Sequence, residues 1–125
     1  MTSQPRSMRF QVQEVLAGAL ASLPSDTFSD DHAFLGRTFK HLSSTLPLFA
    51  PYAALVDESD YSSALDGALR ALVERGWLVH EPGHYTITAV GRAACISSKR
   101  TLFNRGDVAQ LEEAAAILGA AEPNA

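Results

Sequence analysis

Few residues of this chain have the chemistry to act on a ligand, and they form three groups. The first is a run of cations. Arg92, Lys99, Arg100 and Arg105 lie between Glu81 and Asp107, a window without a single acidic residue and with a formal charge of +4. Inside a chain of formal net charge −4, such a patch either holds anions or serves as a solvated face with helix C-terminal cations. The second group is Tyr61, Ser62, Ser63 and Arg70. Hydroxyls in a helix first turn either donate to a ligand's oxygens or cap the turn. Arg70 stands four residues after Asp66, the favourable orientation of an i, i+4 ion pair worth about 0.2–0.5 kcal/mol. The third group is His80, His84 and Cys95.

Catalysis and metal binding find little support in these residues. His80 and His84 flank one turn with Glu81 as the sole neighbouring ligand type, short of the three or four donors a metal requires. His32 and His41 are nine residues apart, which puts them on different faces of one helix. No nucleophile elbow, phosphate loop or Gly-x-Gly-x-x-Gly occurs, and no Ser-His-Asp arrangement stands out. The expectation is a protein that is not an enzyme and has no cofactor. A single cysteine excludes an internal disulfide and fits a reducing compartment. Cys95 falls near the apolar face of its helix and reads as a small buried hydrophobe, although Arg92 and Lys99 would favour a thiolate if it were exposed.

The elements that must position these groups follow from composition and period. The chain has 125 residues, 46% of them apolar, enough for one domain with one core. Ala and Leu contribute 20 and 15 residues, whereas Val and Ile together contribute ten, so helices dominate. Val12, Val15, Leu16, Ala19, Leu20 and Leu23 predict a helix over 8–22, stopped by Pro24. Ser29 as cap and the stripe Phe34, Leu35, Thr38, Phe39 and Leu42 predict a second helix over 30–45. A short packed helix at 51–56, with Pro51 at its first position, spans the apolar linker. Ser59 or Asp60 starts a third helix over 60–75, ended by a left-handed Gly76. Alternation then predicts a β-hairpin around Glu81-Pro82-Gly83-His84, with Trp77, Val79, Tyr85 and Ile87 inward. Thr88 caps a helix over 89–98. An Asp107/Gln110 capping arrangement opens the last helix, 107–119, closed by Gly119. The ends, 1–7 and 121–125, should fray. No apolar run approaches the roughly 20 residues that span a bilayer and Met1 to Arg9 does not read as a secretory signal, so a cytoplasmic protein without membrane contact is expected.

The fold class is thus mainly α with a small β-hairpin, and the local wording is more specific. The stretch from Ala64 through Arg75-Gly76-Trp77-Leu78-Val79 resembles the third helix and its turn into the wing of MarR-like and PadR-like regulators. Tyr85-Thr86-Ile87-Thr88-Ala89-Val90-Gly91-Arg92 resembles their second wing strand and the Thr-x-x-Gly-Arg start of the following helix. Together the matches cover about 60–96. The resemblance implies a winged helix-turn-helix with flanking terminal helices, divided as a flexible 1–7, a domain over 8–106 and a C-terminal helix over 107–121.

Two functions follow from that resemblance. In the first, the protein is a transcriptional regulator that binds duplex DNA as a homodimer paired through its terminal helices. Its DNA contacts would be Tyr61, Ser62, Ser63 and Arg70 on the third helix, His84 at the wing tip, and Arg92, Lys99, Arg100 and Arg105 on the backbone. In the second, the scaffold is an adaptor that binds a protein partner through the acidic end of the third helix and the apolar linker at Phe49, Tyr52 and Leu55. Some fourteen residues separate Thr45 from Asp60, and Asp57, Glu58, Asp60 and Asp66 would repel phosphates. The DNA function requires the basic window and the third helix to share one face; the adaptor function requires them to diverge and leave apolar surface exposed.

Overall fold

The computed structural model describes residues 10–57 and 62–120, and their order is helix, strand, helix, 3-10 segment, helix, hairpin and two helices. The first helix, α1 (Val12–Leu20), is shorter than the pattern suggests; residues 8 and 9 of the expected span, with 1–7 and 121–125, lie outside the described residues. Glu14 accepts from the Gln11 backbone N–H at 2.8 Å, fixing the start. Between α1 and the second helix lies a strand that no three-residue alternation could reveal: β1 (Thr27–Ser29) exists because it pairs with a strand far along the chain. Ser29 is therefore not the cap of α2 (His32–Thr45). That role falls to Asp31, whose carboxylate accepts from Ala33 N–H at 3.1 Å, while Ser29 Oγ accepts from Asp31 N–H.

The linker is a 3-10 segment, Pro47–Leu55, with Pro51 inside it instead of opening it. Phe49 and Tyr52 are each 1% exposed, and the Tyr52 hydroxyl donates to the Phe10 carbonyl. The linker is core, so the expected apolar docking surface at Phe49 and Tyr52 does not exist; Leu55 also packs against that core.

The third helix, α3 (Ser63–Glu74), is capped by Ser62, whose Oγ accepts from Leu65 N–H at 3.0 Å. The expected caps Ser59 and Asp60 lie outside the described residues. Its end is a Schellman turn: Gly76 at φ 81° donates to Val73 O and Trp77 N–H donates to Leu72 O. Because Trp77 completes that turn, β2 (Leu78–Glu81) begins one residue later than the alternation suggests, which reverses its parity. Leu78 is buried and Val79 is 45% exposed, the opposite of the expectation, whereas Tyr85 and Ile87 of β3 (His84–Ile87) do point inward. Trp77 itself is half-buried beside the core, with the Arg75 guanidinium 5.4 Å over its ring. Pro82 and Gly83, the latter at φ 89°, form the two-residue hairpin turn. The sheet is antiparallel with order β1-β3-β2.

Thr88 caps α4 (Ala89–Leu102) by accepting from Gly91 N–H at 2.9 Å, and the helix runs four residues past the expected end. The last helix, α5 (Arg105–Ala120), opens on a reciprocal Asn104/Asp107 pair in place of Asp107/Gln110. Gln110 instead accepts from Leu48 N–H at 2.7 Å, tying α5 to the 3-10 segment. Gly119 does not stop the helix; it lets α5 approach Pro24, which a Cβ would meet at 3.1 Å. Leu111, Ala114 and Ala115 of α5 and Val15 and Leu20 of α1 are at most 0% exposed. The two terminal helices thus find room in their own domain, and the stripes that suggested pairing between subunits are its centre. Among the described residues no helix is long and apolar enough to cross a membrane.

Candidate partner-docking site

Polar side chains converge where the N-terminus of α2, one face of α3 and the inner face of the hairpin meet. Asp66, Arg70 and Val73 follow i, i+4, i+7 spacing and share one helical face. His80 and Tyr85 are directly opposed in the β2–β3 register, so both line the same side of the sheet. His32 is the first residue of α2. These six residues bound an open cleft of about 310 Å³. The core beneath holds an apolar void of only about 10 Å³, room for no more than a water.

Charge pairing organises the cleft. Arg70 donates to Asp66 at 3.2 Å, the i, i+4 pair the sequence implies, and His32 Nδ1 lies 3.9 Å from the same carboxylate. His80 Nε2 lies 2.9 Å from Asp30 Oδ2, and its ring stacks on Tyr85 at 4.4 Å between centroids. Burial, then the Asp66 and Asp30 carboxylates, push the Tyr85 hydroxyl above its ordinary pKa, with Arg70 opposing. Two carboxylates, Asp30 and Asp66, thus meet the single guanidinium of Arg70 in this corner. The two wing histidines do not meet: register puts His80 on the inner face and His84 on the outer, where His84 Nε2 lies 2.9 Å from Glu81. Hydrogen bonds from Thr86 and His84 hold the exposed Glu81 carboxyl below its ordinary pKa. Among the described residues no group of three His, Cys, Asp or Glu side chains is placed to hold a metal.

The expected DNA-contact residues differ in burial and in what they bind. Tyr61 lies outside the described residues. Ser62 is 4% exposed and spent as a cap, whereas Ser63 and Arg70 are exposed on α3. Arg92 turns inward to close the end of α1, donating to Leu20 O at 2.9 Å, Ser25 O at 3.0 Å and Asp26 Oδ1 at 2.6 Å, with longer bonds to Ala21 and Leu23 carbonyls. Lys99 donates to Ser22 Oγ at 2.7 Å and lies 3.7 Å from Glu112, bracing α4 against α1 and α5. The reason is common to both: α4 packs along α1, so cations on that side meet the carbonyl-rich end of α1 before they meet solvent. Arg100 and Arg105 are exposed, on α4 and at the start of α5. Half of the basic window, Arg92 and Lys99, is therefore structural, bound to the end of α1 and beside α5.

Cys95 is 1% exposed, and burial pushes its thiol up to about 11 despite the nearby Arg92, so it packs as a hydrophobe. Asp30 is the site residue that sequence reasoning missed; its placement depends on β1, which brings it beside His80. Comparison of the chain with protein-family models, with curated proteins and with solved structures finds no match.

Proposed function

We propose that this chain is a winged-helix module that works by docking another protein, with the acidic corner between α2, α3 and the hairpin as its contact surface. The winged-helix reading is supported by the direct passage from α3 through a Schellman turn into a two-stranded ribbon, followed by a Thr88-capped helix. The observation that carries the docking reading is the fate of the cations. Arg92 and Lys99 are consumed inside the fold, while Asp30 and Asp66 lie beside the third helix and the wing. Phosphate neutralisation supplies most of the affinity of a non-specific protein–DNA complex, so an acidic contact face works against one. The same charges attract a basic segment and speed its encounter.

One observation favours DNA as the second reading: Ser63, Gly67 and Arg70 are exposed on α3, which leaves a helix face open for a major groove. A duplex titration by fluorescence anisotropy at about 50 mM and 200 mM salt separates the two. The docking reading expects no binding at either salt. Salt-sensitive binding that weakens in Arg70→Ala would establish the DNA reading instead.

A further inference from the structure

The chemistry of the cleft narrows what docks there, given the docking reading above. Asp66 and Asp30 keep 21% and 25% of their side-chain surface exposed, enough to be reached and little enough to be only partly screened. A carboxylate has about four lone-pair sites, so each can accept further donors beyond those it already holds. Beside them stands the stacked His80–Tyr85 pair, with His80 half exposed and Val73 as apolar floor. Carboxylates next to a flat aromatic surface suit a planar cation that donates at its edge and stacks with its face, which a guanidinium does and an ammonium does not. One guanidinium already touches the rim of the cleft. Arg70, 71% exposed, reaches back to Asp66 through a single 3.2 Å bond and so shows that a guanidinium is accepted there on weak terms.

We infer that the cleft bounded by His32, Asp66, Arg70, Val73, His80 and Tyr85 receives an arginine side chain from a basic partner segment, in competition with Arg70. The incoming guanidinium bonds Asp66 or Asp30 and lies against the His80 ring. Arg70 then swings to solvent, where its exposure already leaves it.

The probe is Nα-acetyl-arginine amide, titrated into the full chain while the ring signals of His32, His80 and Tyr85 are followed by NMR, with Nα-acetyl-lysine amide and Nα-acetyl-leucine amide as comparators. The expected result is saturable shifts with the arginine probe, weaker by about fivefold or more in Asp66→Asn and in Asp30→Asn, as loss of one partly screened charge predicts. Arg70→Gln removes the competitor, so it tightens binding; it also keeps the proposal testable if an Asp variant fails to fold, which circular dichroism reports. Shifts that do not saturate, equal affinity for lysine or leucine probes, indifference to both Asp variants, or weaker binding in Arg70→Gln would each overturn the assignment. Silence from both the arginine probe and the duplex removes the arginine site alone, whereas duplex binding lost in Arg70→Gln removes the docking reading with it.

Discussion

Replacing Arg92 by Ala should act on the stability of this protein, because its side chain is a brace inside the fold. The guanidinium collects four carbonyls at the end of α1 and the following turn together with the Asp26 carboxylate, and its own side chain is only 24% exposed. Hydrogen bonds from a charged donor are worth about 1.5–3 kcal/mol each when one partner is removed. The two short carbonyl bonds, to Leu20 and Ser25, count fully; the 3.3 Å bonds count for less, and the exposed Asp26 adds under about 1 kcal/mol. Water can reach part of the uncovered backbone, which brings the expected loss to about 3–4 kcal/mol, a large share of the 5–15 kcal/mol typical of a domain. For a chain of this size that is a drop in Tm on the order of 10–15 °C. Arg92→Lys should recover little, since an ammonium cannot span carbonyls on both sides of the turn. Arg100→Ala, which removes an exposed cation of the same window, should cost under about 0.5 kcal/mol. Denaturant unfolding followed by circular dichroism measures all three. A loss under about 1 kcal/mol in Arg92→Ala, or equal losses at Arg92 and Arg100, would refute the view that Arg92 is a brace.

Gly91→Ala should destabilise by about 3 kcal/mol, because its Cβ would fall 2.1 Å from the Trp77 carbonyl oxygen and backbone must shift; thermal unfolding reports it. Cys95 binds its proton more tightly folded than unfolded, so its contribution is complete below about pH 8.5 and is lost as pH rises towards about 11. The loss approaches about 3 kcal/mol, and denaturant midpoints at pH 8 and 10.5 should fall further apart in the wild type than in Cys95→Ala. Gln110→Leu should cost about 1–2 kcal/mol by leaving Leu48 N–H without its acceptor, read as a lower denaturant midpoint at constant m. Since the apolar stripes of α1 and α5 are internal, light scattering over a range of concentrations should return the single-chain mass of 13.4 kDa; a two-fold mass would require a different face.

Long, strongly periodic elements were legible in the residues themselves. The stripe from Leu65 to Leu72, the Gly76 stop, the Pro82-Gly83 turn and the Thr88 cap all follow from local rules, and each stands in the structure. What local rules miss is whatever a distant partner decides. Three residues, Thr27 to Ser29, become a strand because β3 offers an edge, and that strand carries Asp30 to His80. Trp77 looks like the first strand residue until the Schellman turn claims its N–H, which shifts the parity of β2 by one. The basic window has the right charge for a phosphate contact, yet charge along a chain does not say which carbonyls wait across the helix interface for Arg92. Likewise Gln110 has the spacing of a capping residue but finds Leu48, 62 positions away.

A docking site between α2, α3 and the hairpin requires Asp30 and Asp66, and not the net charge, to attract a cationic partner. Fluorescence anisotropy of a labelled nona-arginine peptide, titrated with wild type, with Asp30→Asn/Asp66→Asn and with Glu112→Gln/Glu113→Gln, compares two variants of identical charge change. The cleft account predicts that the first pair weakens binding by tenfold or more (about 1.4 kcal/mol) while the α5 pair leaves it near wild type. Equal weakening by the two pairs would show attraction to the net charge of the protein and contradict a docking site between α2, α3 and the hairpin.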